Sequence, residues 1–319
     1  MHEGQRDNGT SPLEFLLLGM SDGPSLQTLP FILLLVIYTV TVFGNILIVV
    51  LVVADQHLHT PMYFFLGNLS SLETCYSSTI LPQLLASFLT RNKTISAHSC
   101  MAQFYFFSSF AATECYLLAA MSYDRYLAIC QPLLYGSLMT WKVSLQLAAA
   151  SWLGGLLLFA VLTFLLSQLQ FCGPKAIDHF FCDFAPLLEL SCGDTRVLTQ
   201  VALIFGFLDV VFPFLFTLTS YVFIIVAILR ISSHMGKHKV FSTCSSHLTV
   251  VTVFYGTLII VYMLPRTACL RQLNKALSFF YTILTPLVNP LIYSLRNREV
   301  KEALRKVLRK AKACTQSSW

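Results

Sequence analysis

Three carboxylates stand where charge is expensive. Glu73 is the sole Asp, Glu, Lys or Arg in 61–89, Glu114 the sole one between Lys93 and Asp124, and Asp209 the sole one in 197–229. Two carboxylates on neighbouring apolar segments cannot both stay ionised without a cation, water or a shared proton between them. Glu73 and Glu114 read as such a pair. Asp209 lies four residues before Pro213, on the helical face of Phe205. It suits either a structural hydrogen bond to a neighbouring segment or contact with a donor group on a ligand.

Other residues could act as moving parts. Asp124-Arg125-Tyr126 sets opposite charges side by side at the edge of an apolar stretch, where an Arg must be paired or wet. Asn289-Pro290 removes one backbone hydrogen bond from a helix and allows a kink. Cys100, Cys172, Cys182 and Cys192 suit disulfides, and four cysteines allow three pairings that spacing alone does not resolve. A metal site built with Asp178, His179 and Asp183 is the weaker reading, because the spacings are wrong for a zinc knuckle. No HExxH, phosphate loop, nucleophile elbow or zinc-type Cys-His spacing occurs, which argues against an enzyme.

The elements that must position these groups follow from composition. Of 319 residues, 56% are hydrophobic and 11% charged, with mean hydropathy +0.70. Soluble domains carry about 25% charged residues, so a soluble globule and a disordered chain are both excluded. The net charge of +6 is diluted in apolar sequence and does not suggest nucleic acid. Stretches free of charged residues run 32 residues from Asp22 to Asp55, 32 from Lys142 to Lys175, 26 from Lys239 to Arg266 and 20 from Lys275 to Arg296. Each satisfies the roughly 20 residues a helix needs to cross a bilayer. With the three acid-bearing stretches, about 61–89, 98–126 and 197–229, the total is seven. The chain is therefore expected to be an all-α membrane protein, and no internal repeat suggests a transporter.

Basic residues set the orientation. With the C-terminus inside, 13 Lys and Arg face the cytoplasm and 8 face out. The N-terminal segment lacks a signal peptide's basic region and cleavage site, so the first span is expected to direct its own insertion. Asn8-Gly9-Thr10 in that segment is a glycosylation acceptor. Asn92-Lys93-Thr94 also faces outward, but in a short loop close to the membrane. By this division the outer face is neutral, the inner face carries +9, and the three intramembrane acids formally reduce the total to +6.

Five motifs, in order and on the expected spans, carry a family resemblance. They are Leu58-His59-Thr60-Pro61-Met62-Tyr63-Phe64-Phe65-Leu66, Met121-Ser122-Tyr123-Asp124-Arg125-Tyr126-Leu127-Ala128-Ile129-Cys130 and Ser220-Tyr221. Lys239-Val240-Phe241-Ser242-Thr243-Cys244-Ser245-Ser246-His247-Leu248 and Pro286-Leu287-Val288-Asn289-Pro290-Leu291-Ile292-Tyr293-Ser294-Leu295-Arg296-Asn297 complete them. Together they resemble the olfactory (odorant) receptors, a branch of the rhodopsin-like (class A) G-protein-coupled receptors. Thr60 between His59 and Pro61 is similar to the larger, tetrapod-type class.

That resemblance implies a seven-transmembrane bundle over 29–296, an extracellular segment over 1–28, and a cytoplasmic amphipathic eighth helix with tail over 297–319. The function it implies is binding of a small, mostly apolar volatile within the bundle, with activation of a stimulatory, olfactory-type G protein that raises cyclic AMP. Asp124, Arg125, Tyr126, Tyr221, His247, Asn289, Pro290 and Tyr293 would form the activation switch. Asn45 would join Glu73, Glu114 and Asn289 around sodium or a shared proton; Glu73 departs from the Asp more usual at its place. The ligand pocket would draw Phe104, Phe107, Ser108, Ala111 and Ala112 from the third span and Ala202, Phe205, Gly206 and Asp209 from the fifth. Tyr255, Leu258, Ile259 and Tyr262 would come from the sixth, with Phe279 and Thr282 closing it from the seventh. Phe107 stands where amine receptors carry an Asp. The pairing that goes with the resemblance is Cys100–Cys182 and Cys172–Cys192. Expected partners are an odorant, the G protein, membrane lipid and trafficking chaperones, with no nucleic acid and no cofactor. The location implied is the plasma membrane, in the cilia of olfactory neurons. Val300, Ala303, Leu304, Val307, Leu308 and Ala311 form an apolar stripe opposite Lys301, Arg305, Lys306, Arg309 and Lys310, suited to lie on an anionic inner leaflet.

Overall fold

The computed structural model describes residues 14–18, 28–172, 175–230, 234–263, 268–296 and 298–316. Among these, seven long helices form a bundle: α1 (Thr28–Ala54), α2 (Pro61–Thr90), α3 (Ala97–Cys130), α5 (Trp141–Ser167), α7 (Arg196–Arg230), α8 (His234–Met263) and α9 (268–296). Short helices α4 (Pro132–Leu138) and α6 (Phe184–Glu189) lie between them, and α10 (Arg298–Gln316) follows. Asn8 lies outside the described residues, as do the side chains of Cys269 and Tyr293.

By length and composition, α1, α3, α5, α7 and the 272–292 part of α9 each suffice to cross a membrane. The more polar α2 falls below that mark, and the described 247–262 part of α8 is apolar but shorter. α2 shows how the polarity is tolerated. Ser71, Thr74 and Ser77 turn their hydroxyls back onto the carbonyls of Gly67, Ser70 and Glu73 at 2.9, 3.0 and 2.8 Å. Each donor is thereby satisfied within its own helix, as a water-poor surrounding requires.

α3 is the central post. Its most apolar window is 61% buried, against 17% for that of α7, which faces mostly outward. At 34 residues it spans about 51 Å at 1.5 Å per residue, longer than a hydrocarbon layer of about 30 Å. Its first turn is capped by Ser96, whose hydroxyl accepts from the Ser99 amide at 3.2 Å. The approach of α5 to α3 is so close that a Cβ on Gly155 would lie 2.4 Å from Thr113 Oγ1 and 2.5 Å from the Ser109 carbonyl. Only glycine fits there, as at other small-residue helix contacts in membranes.

Two long helices carry a π turn, Phe207–Val211 in α7 and Phe280–Leu284 in α9. The cause is the same in both. Each turn stops one residue short of a proline, and the amides of Phe212 and Thr285 reach back five residues to Phe207 and Phe280. Pro213 and Pro286 have no N–H to continue the ordinary ladder, and the turn before them widens.

At one end of the bundle, β1 (Glu14–Leu17) is the middle strand of a small sheet. It pairs antiparallel with β2 (Thr94–Ser96) and parallel with β3 (Ala176–Ile177). Phe15 points inward and meets Phe171 edge-on at 5.5 Å. Disulfides Cys100–Cys182 and Cys172–Cys192 tie the 168–195 loop to α3 and to itself. At the opposite end, α10 buries Val300 and Ala303, and Lys306 bonds Asp55 at 3.1 Å.

Candidate functional site

Near the disulfide end, a cavity of about 180 Å³ lies between α3, α5, α7 and α8. α3 supplies Phe104, Phe107, Ser108, Ala111, Ala112 and Cys115; α7 supplies Thr199, Ala202, Leu203, Phe205, Gly206, Asp209 and Val210. Leu258 and Tyr262 come from α8, Phe159 and Leu162 from α5, and Asp183 and Phe184 from the tethered loop. The wall is almost wholly apolar with a few polar points, the make-up of a small-molecule site.

Four residues expected at this wall are elsewhere. Tyr255 is buried against Phe214 and donates its hydroxyl to the Cys115 carbonyl at 2.7 Å, joining α8 to α3. Ile259 is half-buried outside the cavity. Phe279 packs on Phe180, and Thr282 is buried with its hydroxyl on the Ser278 carbonyl at 2.6 Å. The physical reason is the loop. Phe180 and Phe181 fill the space between α3 and α9, with Phe181 4.7 Å from the Phe107 ring and Phe107 6.0 Å from Tyr281. The cavity is thereby displaced towards α5, which sequence reasoning left out.

Asp209 lines this cavity from the π turn of α7, and its side chain is buried. One oxygen accepts from the Tyr116 hydroxyl, and the other, Oδ2, has no hydrogen-bond partner among the described residues. A second acid at the wall, Asp183, caps α6 and accepts from Tyr262, whose hydroxyl is 2.6 Å from that of Tyr281. The loop metal reading is not supported. Asp178 pairs with Lys275 at 2.5 Å, and no group of three or more His, Cys, Asp or Glu among the described residues is placed to hold a metal.

Deeper in the bundle, Glu73, Glu114, Asn45 and Asn289 come together from α2, α3, α1 and α9. Asn289 donates to Glu73, and the two carboxylates are close enough to interact electrostatically. Asn45 donates to the Pro286 carbonyl at 3.1 Å. That is the carbonyl which Pro290, four residues on and lacking an N–H, leaves free. The kink is therefore bridged by a side chain from another helix. Glu114 Oε1 and Asn45 Oδ1 are buried acceptors without partners.

At the far end, Asp124 and Arg125 form a closed knot. Arg125 Nη2 and Nε lie 2.9 and 3.2 Å from Asp124 Oδ2, and the Tyr135 hydroxyl donates to Oδ1 at 2.8 Å. Burial and the adjacent Asp124 carboxylate push the Tyr135 phenol well above its ordinary range. Tyr135, on α4, was missed by sequence reasoning, because its partner lies eleven residues away across a helix break. The Tyr221 hydroxyl and His247 Nδ1 are 2.5 Å apart, joining α7 to α8, and both lie within electrostatic reach of Arg125. The Tyr126 ring meets that of Phe223 in a tilted contact at 5.9 Å.

Seven membrane helices with a cavity at one end and an Asp-Arg-Tyr knot at the other define a rhodopsin-like G-protein-coupled receptor. Residues 34–311 match the family model described as olfactory receptor. Human olfactory receptor 2D2 is 50% identical over 300 residues, covering 94% of this chain and 97% of that protein. Mouse olfactory receptor 5AP2 is 46% identical over 304 residues (95% and 96%), and human olfactory receptor 5B21 is 48% identical over 304 residues (95% and 98%). The chain belongs to the olfactory receptor family. It is a multi-pass membrane receptor that detects odorants and couples to a G protein; it is not an enzyme.

Proposed function

We propose that the cavity between α3, α5, α7 and α8 binds a small, mostly apolar odorant whose one hydroxyl or similar donor reaches Asp209 Oδ2. The observation that carries this reading is that unpartnered oxygen, buried at the wall of an otherwise apolar cavity. A buried acceptor without a donor is costly, and a ligand supplying one gains both affinity and orientation. Binding that favours an arrangement in which Arg125 has left Asp124 shifts a pre-existing equilibrium and opens the knot end to a stimulatory, olfactory-type G protein. The disulfide end then faces outside, where disulfides persist, and the basic α10 lies on the inner leaflet of the plasma membrane, in olfactory cilia.

A broad panel of volatiles on cells expressing the receptor with a stimulatory G protein tests this. At least one ligand raises cyclic AMP, and Asp209→Asn weakens its potency roughly tenfold or more while surface expression holds. Current or uptake without a G protein, or parallel loss of potency and expression, contradicts it.

The acid pair suits either a monovalent cation or a shared proton, since Glu114 Oε1 and Asn45 Oδ1 both lack a partner among the described residues beside Glu73. Sodium would be held by Glu73, Glu114 and Asn45 and would favour the resting arrangement. Raising sodium should therefore lower basal cyclic AMP in the parent receptor and not in Glu73→Gln; a parent that ignores sodium rules the ion out.

A further inference from the structure

We propose that ligands enter the cavity sideways from the hydrocarbon layer, through a gate between α5 and α7 whose moving leaf is Leu203. The proposal rests on the cavity being the ligand site and assigns to it a class of ligand: small molecules, uncharged in transit, that partition into bilayers.

The observation is a difference between the roof and one wall of the same cavity. Leu203 lines it, yet is 62% exposed on the outer surface of the bundle. At that point the partition between cavity and lipid is one side chain thick. The surface around it is apolar, with Val161 and Phe164 on α5 and Ile204 and Phe207 on α7 all exposed. One turn below, the π turn at Phe207–Val211 interrupts the regular ladder of α7, which leaves this stretch of helix less tightly defined than an unbroken one.

The roof is the opposite. Among the described residues, Ile177, Phe181, Cys182 and Leu187 are 0% exposed and Phe15 is 1%. Both disulfides and the three-stranded sheet hold that layer together. Entry from water through it must separate a packed aromatic layer, whereas entry past Leu203 needs a rotamer change of one lipid-facing side chain, a fast local motion. A charged ligand is excluded from this route by the cost of crossing hydrocarbon.

Cys115 makes the route measurable without knowing the ligand, because it is a free, buried thiol at the cavity wall. The receptor in lipid nanodiscs is treated with N-phenylmaleimide, which enters bilayers, or with a trimethylammonium methanethiosulfonate, which does not. Labelling of Cys115 is followed by peptide mass spectrometry, with the exposed Cys75 on α2 as the internal reference. The maleimide should label Cys115 and the charged reagent should not. Leu203→Trp should slow the maleimide reaction several-fold, and Leu203→Ala should speed it, with Cys75 unchanged in both. Equal rates for the two reagents at Cys115, or rates indifferent to both Leu203 variants, overturn the gate. Failure of the odorant reading leaves this result standing, since labelling needs no odorant and no G protein.

Discussion

Asp124 and Asp209 are both buried acids of a membrane bundle, and they differ in what is left over. Asp124 has its own cation beside it and a phenol on its second oxygen; both oxygens are met. Asp209 has one phenol, from Tyr116, and an oxygen with no hydrogen-bond partner among the described residues. The first is complete without a ligand and can only be opened, as suits a resting lock. The second is incomplete without one, and it stands at the wall of a cavity. In a low dielectric an unmet acceptor is the costly state. The residue left unsatisfied is therefore where an external partner gains most.

Breaking the complete site should have the largest effect. Asp124→Ala strips Arg125 of its partner. The loss should approach about 3 kcal/mol, the low end for a broken buried pair, because Arg125 keeps 18% exposure and can reach water. The resting form loses this and the opened form does not. Basal cyclic AMP should therefore rise several-fold and the melting temperature of the ligand-free receptor should fall. An unchanged basal level would remove Asp124 from the lock. Tyr135→Phe is the finer cut. It deletes one hydrogen bond to a charged group, worth about 1.5 kcal/mol, and leaves the ion pair, so the rise in basal signalling should have the same sign and be smaller. An effect equal to that of Asp124→Ala would mean that Tyr135, not Arg125, holds the knot.

The spans were legible because a bilayer imposes length and excludes charge, and both are linear properties of a sequence. The seven helices consequently fall close to the expected spans, with Pro61–Thr90 and Ala97–Cys130 set against expectations of 61–89 and 98–126. Most of the α3 and α7 cavity residues were legible by helical spacing with the family resemblance. What stayed hidden depends on tertiary placement. Phe180 and Phe181 reach the bundle because Cys182 is tethered to α3, and no periodicity in a loop announces that. Phe159 and Leu162 were missed because α5 is apolar all round, so composition does not mark its inner face. Gly155 was a usable signal: a glycine at a helix contact brings α5 near enough to α3 to share its cavity. The spacing of Asp209 to Pro213 was another, since a proline there widens the turn that carries the acid.

A third acid, Asp55, gives the smallest predicted effect and bounds the comparison from the exposed side. It sits at the rim where α10 meets the end of α1, accepting from the His57 amide at 3.1 Å and from Lys306 Nζ at 3.1 Å, with the His57 ring Nδ1 3.0 Å from the same oxygen as the amide. The His57 amide, and then Lys306, hold its carboxyl at about 2, below the ordinary 3.8. A lowered folded-state value means that the contribution is fully present above 3.8 and is lost as pH falls through about 2. Between pH 5 and 8 the carboxylate stays ionised, so any pH dependence of the contact in that range comes from the His57 ring and strengthens the contact at the lower pH. It should respond to salt, because a rim ion pair is screened. Melting curves of the receptor and Asp55→Ala at pH 5 and 7.5, each at low and high salt, check this. The two should differ slightly at low salt, at least as much at pH 5 as at pH 7.5, and converge at high salt. A difference that vanishes at pH 5 would mean that these partners do not hold the Asp55 carboxyl ionised.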